Sequence, residues 1–386
     1  MGKELINWEN GRWIGQTLEV ENGVCAVPST PEGGLDYTDA VKAATDHLYK
    51  EVADFIPEFE WPAYAPLVHA INTLKKEKNA VILAHNYMTP DIFGLIGDYT
   101  GDSLGLAIEA TKTDAEIIIQ GGVHFMAETS KILCPNKRVF IPSMRAGCSL
   151  ASSITGEDIK LIKQRYPGIP VVTYVNTSAD VKAESDICCT SSNAVAIVEH
   201  ICAEWGVNKV IMLPDEFLAK NVAKQTDIEV IAWHGRCEVH ARFSAQDVRD
   251  MRDAHPGVVV LAHPECPPEV VAESDFTGST KAMSDYVSDN SPKNVILLTE
   301  CSMSDNVAME NPDVDFVRPC NLCPHMKRIT LENIYECLRD ESNEVLVPED
   351  MRKRAYKAVM DMINVTFDPV KGHFDPSLPE VDVKVI

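Results

Sequence analysis

The chain lacks any run of apolar residues long enough to cross a bilayer, which excludes a transmembrane helix. Its opening stretch, MGKELINWENGRW, lacks the basic, then apolar, then small order of a signal peptide, so the expectation is a soluble, cytoplasmic protein with no membrane partner. Positive charge is scarce: 35 basic side chains face 58 acidic ones, a formal net charge of −23. Such a surface repels a phosphate backbone and argues against a nucleic-acid partner. A second C-x-x-C is also missing beside the one formed by Cys320 and Cys323. A single such pair is half a zinc site, a thiol redox pair or part of an iron–sulfur motif, and the other ligands have to come from elsewhere. Twelve cysteines spread over 386 residues are thiols or ligands in a reducing compartment, not a disulfide framework.

What the chain does have is repetition. Its length predicts two or three domain-sized units, and β-rich apolar runs alternate with amphipathic stretches, the pattern of βαβ units with parallel sheets. VILAHNY at 81–87, VVTYVNT at 171–177 and VVLAHPE at 259–265 are strand ends that turn polar at one place. His85, Tyr174 and His263 stand there, 89 and 89 residues apart. A marker follows each strand, DYTGDS from Asp98, DICCTS from Asp186 and DFTGST from Asp275, ending in Ser103, Ser191 and Thr280. Each hydroxyl precedes a helical pattern. A helix N-terminus with free N–H groups attracts anions, so three of them at one register point to a shared anion site rather than to ordinary caps.

Further on, VFIPSMRAGC, VIAWHGRC and VDFVRPCNLC run into Cys148, Cys237 and Cys323, which are 89 and 86 residues apart. Seven residues past each cysteine stands a helix-capping hydroxyl, Thr155, Ser244 or Thr330, with Asp158, Asp247 or Asn333 three residues on. This register selects Cys323 over Cys320. Three equivalent α/β units around a pseudo-threefold axis would bring their strand ends, and therefore three thiols, to one place. A closed structural zinc site uses four protein ligands. A cubane cluster bound by three cysteines leaves one iron open, and an open iron is a Lewis acid. Zinc with a bound water remains an alternative. Around this centre His85, Tyr87, Tyr174, His263 and Glu265 offer proton donors, acceptors and polarising groups, while Asn176 can orient.

AHNY, the GDS stretch, AGCSLA, YVNT with TSSNA, WHGRCEVH, HPEC, the GST stretch and CPHM together resemble the quinolinate synthase family over roughly residues 65–340. The resemblance implies three similar α/β/α domains and a [4Fe-4S] cluster held by Cys148, Cys237 and Cys323. It also implies condensation of iminoaspartate with dihydroxyacetone phosphate to give quinolinate, and functional coupling to an L-aspartate oxidase or dehydrogenase. Carried over residue by residue, it assigns substrate binding to His85, Ser103, Tyr174, Asn176, Ser191, His263, Glu265, Ser279 and Thr280. Glu265, Tyr87 and His263 become the catalytic candidates, with Tyr87 and Glu265 moving protons. The expected organisation is an added segment at 1–64, repeats at 65–150, 151–238 and 239–325, and a helical closing segment at 326–386. Some members carry C-x-x-C-x-x-C, but Val317 breaks that run here and puts a redox role for it in doubt. An aconitase-type iron–sulfur dehydratase explains the open iron but not a phosphate site. A non-catalytic iron–sulfur redox protein leaves the strand-end side chains without a task.

Overall fold

Runs of β-branched and aliphatic residues form three parallel sheets in the computed structural model, which describes residues 35–365 and 373–386 and the backbone of two short strands, Trp8–Glu9 and Arg12–Trp13. The first sheet holds Ala80–His85, Tyr99–Gly101, Ile117–Gly121 and Arg138–Phe140. The second holds Val171–Tyr174, Ile187–Cys189, Lys209–Leu213 and Glu229–Ala232, and the third Val259–Ala262, Phe276–Thr277, Asn294–Leu298 and Asp315–Val317. Counted along the chain, the four strands of each sheet lie in the order second, first, third, fourth, so the expected α/β architecture with parallel sheets is present. Ile117–Gly121 and Val171–Tyr174 are buried throughout, as strands covered on both faces must be. In this order the chain reverses direction of growth beside the first strand, and the crevice at its carboxyl end is where such sheets bind ligands. His85, Tyr174 and His263 stand at those three ends.

The aspartate that opens each marker has a structural task. Asp98, Asp186 and Asp275 each accept a backbone N–H of the first strand, from Ile82, Val171 and Val260, at 2.8 Å each. Each is paired with a cation, Lys75 at 2.8 Å, Lys163 at 2.7 Å and Arg252 at 2.9 Å. These ion pairs are partly exposed and contribute little alone, but the carboxylate fixes the register between first and second strands.

The marker hydroxyls are not caps. Helix Ser103–Lys112 is capped by Asp102, which accepts the Gly105 N–H at 2.8 Å, and helix Thr280–Asn290 by Ser279, which accepts that of Ala282. Ser103 and Thr280 are therefore first helical residues, and the Thr280 hydroxyl accepts from Asn86 Nδ2 at 2.9 Å and keeps its own O–H to donate. Ser191 stands before helix Ala194–Trp205, in a turn closed by Asn193, whose Oδ1 accepts the Thr190 N–H at 2.7 Å. The capping boxes expected beyond the cysteines are present at Thr155/Asp158, Ser244/Asp247 and Thr330/Asn333.

The C-terminal part is only partly helical. Helix Glu349–Asn364 packs on Ala179–Glu184 and Ile187–Cys189. The rest pairs with each sheet in turn: Val345 N–H with the Val139 carbonyl, Phe374 with Thr277, and Ile386 with Ala232. Strand Lys384–Val385 adds an edge to the second sheet. The PSTPEGG stretch at 28–34 lies outside the described residues, and among those described no helix is long and apolar enough to cross a membrane.

Candidate active site

The strand ends and cysteine loops meet in one cavity, with room for several water molecules. His85, Tyr87, Ser103, Cys148, Tyr174, Asn176, Ser191, Cys237, His263, Glu265, Thr280 and Cys323 all line it. Ser279 does not; its side chain caps the helix behind Thr280. Cys320 is exposed, with its Sγ 3.6 Å from that of Cys301, and is absent from the lining.

Each cysteine stands in the loop after a fourth strand rather than at the strand's end. A short 3-10 turn begins three residues later, at Ala151, His240 and Met326. The Cys148, Cys237 and Cys323 carbonyls accept the N–H groups of Ser152, Ala241 and Lys327 at 3.0, 3.0 and 3.1 Å. Burial pushes the Cys148 and Cys323 thiols up to about 12, and raises the Cys237 thiol well above its usual value. N–H groups of the turns, including those of Ala151, His240 and Met326, oppose that shift by facing the sulfurs. No lysine or arginine lines the cavity among the described residues. Three buried thiols beside a carboxylate would ionise there only on binding a cationic centre.

The sulfurs of the three cysteines are not all within 4.8 Å of one another. A single zinc, with bonds of about 2.3 Å, holds tetrahedral sulfurs about 3.8 Å apart. The trio is therefore spaced too widely here to grip one zinc ion. A tighter set is Cys237, His240 and Glu265, whose ligand atoms do lie within 4.8 Å.

Beside the thiols runs a chain of hydrogen bonds. The Tyr174 hydroxyl donates to Glu265 Oε1 at 2.6 Å, and His240 Nδ1 lies 3.1 Å from Glu265 Oε2 and 3.2 Å from Cys237 Sγ. Because a carboxylate only accepts, Nδ1 carries the proton and Nε2 accepts from the Thr299 hydroxyl at 2.9 Å. Thr299 in turn bonds the Tyr87 hydroxyl. Burial would raise the Glu265 carboxyl, but the adjacent His240 imidazole and the Tyr174 hydroxyl, which both donate to it, hold it down to about 2, so it is ionised. Burial and then the Glu265 charge push both tyrosines well above 10, so both are neutral phenols.

His85 and His263 are set alike. The N–H of Tyr87 donates to His85 Nδ1 at 3.1 Å, and that of Glu265 to His263 Nδ1 at 3.3 Å. Burial lowers the two imidazoles to about 4 and about 3. Both are neutral with the proton on Nε2, which makes them hydrogen-bond donors rather than bases. Asn176 Oδ1 is buried without a protein partner and suits a ligand donor.

Sequence reasoning passed over His240, Thr299 and Asp102. His240 had one visible signal: it occupies the position that Ala151 and Met326 hold in the other repeats, so it is where the repeat breaks. Thr299 comes one residue after its strand and has no such mark.

The chain matches the family model described as Quinolinate synthetase A protein over residues 69–364. It is 58% identical to the quinolinate synthase of Caulobacter vibrioides over 352 residues, 91% of this chain and 96% of the relative. It is 61% identical to quinolinate synthase 2 of Mesorhizobium japonicum over 84% of this chain and 99% of the relative. Against the Xylella fastidiosa quinolinate synthase the identity is 60%, over 77% and 87%. With this site, this fold and these likenesses, the chain belongs to the quinolinate synthase family.

Proposed function

We propose that the chain condenses iminoaspartate with dihydroxyacetone phosphate and releases quinolinate, phosphate and water. The observation that carries this reading is the hydrogen-bonded chain Tyr87–Thr299–His240–Glu265, with Tyr174 on its far end, beside three cysteine loops in one cavity. Cys148, Cys237 and Cys323 would hold a [4Fe-4S] cluster, which would supply Lewis-acid chemistry toward a substrate oxygen.

The side chains divide the remaining work. His85 and His263 donate from Nε2, and Asn176 and the Ser191 hydroxyl orient polar substrate groups. Ser103 and Thr280, each opening a helix, face a phosphate or carboxylate with hydroxyl and N–H groups, which suits anionic substrates in a chain of net charge −23. Proton removal is the task of the chain. The Tyr87 oxygen takes a proton from carbon or nitrogen of the condensed substrate while its own proton moves through Thr299 and His240 to Glu265. No phenolate accumulates in a site that disfavours one. The reverse shift returns a proton to a departing hydroxyl, as general acid–base catalysis requires when water is lost. The Glu238–His325 pair, 2.9 Å apart, joins two of the cysteine loops at the cavity wall.

Cytoplasmic location and supply of iminoaspartate by an L-aspartate oxidase or dehydrogenase complete the proposal, as do repeat boundaries at 65–150, 151–238 and 239–325. The geometry of Cys237, His240 and Glu265 favours a second reading, a single transition-metal ion. Anaerobically prepared protein, assayed for quinolinate by chromatography with both substrates, decides between them. Quinolinate in proportion to bound iron and sulfide supports the cluster reading. Stoichiometric zinc and no quinolinate overturns it.

A further inference from the structure

Two buried asparagines make the same contact at equivalent places. His85–Met88 and His263–Cys266 are matching turns, closed by the Met88 N–H to the His85 carbonyl at 2.8 Å and the Cys266 N–H to that of His263 at 2.9 Å. Asn306, on helix Ser302–Glu310, donates from Nδ2 to the Asn86 and Met88 carbonyls at 2.9 and 2.8 Å. Asn221, on helix Glu216–Lys224, donates from Nδ2 to the Pro264 and Cys266 carbonyls at 2.8 and 3.0 Å. In both cases one amide nitrogen grips the carbonyls on either side of a single residue. That residue is Tyr87 in one turn and Glu265 in the other.

Both clamps reach across from a neighbouring sheet: the helix after the third sheet's Asn294–Leu298 holds the first sheet's turn, and the helix after the second sheet's Lys209–Leu213 holds the third sheet's turn. Both asparagines are almost wholly buried, and in both Oδ1 has no hydrogen-bond partner. Turning either amide over would set its oxygen against two carbonyls, so the orientation is fixed. A buried residue in mid-helix that leaves one polar atom unpaired is a poor choice for packing alone. The third strand-end loop lacks the device. There Lys182 takes the Thr177 carbonyl, and the residue in the equivalent place is Asn176, which cannot move a proton.

We infer that Asn221 and Asn306 are positioning residues for proton transfer, Asn221 acting through Glu265 and Asn306 through Tyr87. The inference rests on the roles proposed above for those two residues. By fixing the peptide on each side, the clamp holds the side chain in line with His240 or Thr299, where a displacement of about 1 Å costs roughly 10²-fold in rate.

The test is a double-mutant cycle on anaerobically prepared, cluster-loaded protein, with turnover per cluster measured as quinolinate formed. N221A and N306A are expected to lower kcat about 10- to 100-fold, with KM for dihydroxyacetone phosphate within about 3-fold. N221A is expected to change kcat less than about 2-fold when E265Q is already present, and N306A likewise with Y87F. A second loss of the same size in those backgrounds marks a structural role and overturns the inference. Undiminished turnover of E265Q overturns the reading beneath it, and the inference with it. If the alanine variants fail to load the cluster, N221S and N306S, which keep one donor, take their place with the same two outcomes.

Discussion

Glu265 carries the heaviest demand of any single side chain, since it is buried, ionised and the terminus of the proposed proton path. Glu265→Gln keeps the shape and one accepting oxygen for either Tyr174 or His240, while its amide NH₂ faces the other, and it cannot take up a proton. It is expected to retain cluster and substrate affinity and to lose about 10²- to 10⁴-fold in kcat; iron content and initial rates check this, and near-normal turnover contradicts it. Thr299→Val removes the hydroxyl joining Tyr87 to His240 and leaves an isosteric side chain, so a loss of at least about 10-fold in kcat at unchanged iron content is expected. His85 gives a pH dependence. Free imidazole titrates at 6.5 and the buried ring at about 4, so between those values the unfolded chain binds a proton that the folded chain does not. Its contribution to stability is full above pH 6.5 and falls as pH drops toward 4, by on the order of 3 kcal/mol at 1.36 kcal/mol per unit. His85→Asn removes that group, so its denaturation midpoint is expected to fall less between pH 7 and pH 4.5; equal falls in both proteins contradict the assignment. Tyr87 and Glu265 were legible because each stands two residues past a repeated strand-end residue. Thr299 was not, because its role lies in a contact with His240, 59 residues away in the chain.

Elements repeat more faithfully than side chains. Strand, loop, cysteine, 3-10 turn and capped helix recur in each unit, and the offset from cysteine to capping hydroxyl was readable because capping is local, decided within four residues. The role of Asp98, Asp186 and Asp275 was hidden, since it depends on which strand lies alongside. The same holds for Ser103 and Thr280, where one residue of register separates the cap from the first helical residue. Thr155→Ala, Ser244→Ala and Thr330→Ala are each expected to cost about 1 kcal/mol of stability. The helices they cap begin beyond the turns that face the sulfurs, so cluster content is expected to stay unchanged. Thermal melting beside iron analysis checks both statements, and loss of iron in any one of them means that the capped helix also holds the ligand loop.

The whole molecule places an anionic reaction in an acidic protein. Its candidate substrate contacts are helix N-termini, hydroxyls, an amide and neutral imidazoles, and three buried thiols share the cavity with an ionised carboxylate. The convergence of three repeats on one cavity could be inferred from spacing. The C-terminal pairing with all three sheets could not, because residues 344–386 repeat nothing earlier in the chain. Cys320 separates the two ways of reading the C-x-x-C: by sequence it is the neighbour of Cys323, and in the fold its sulfur faces Cys301. The most direct test of the central claim is therefore iron and acid-labile sulfide per chain, measured anaerobically in the wild type and in Cys148→Ser, Cys237→Ser, Cys323→Ser and Cys320→Ser. The account predicts about four of each in the wild type and in Cys320→Ser, and almost none in the other three. A cluster that survives Cys323→Ser and is lost in Cys320→Ser would contradict it.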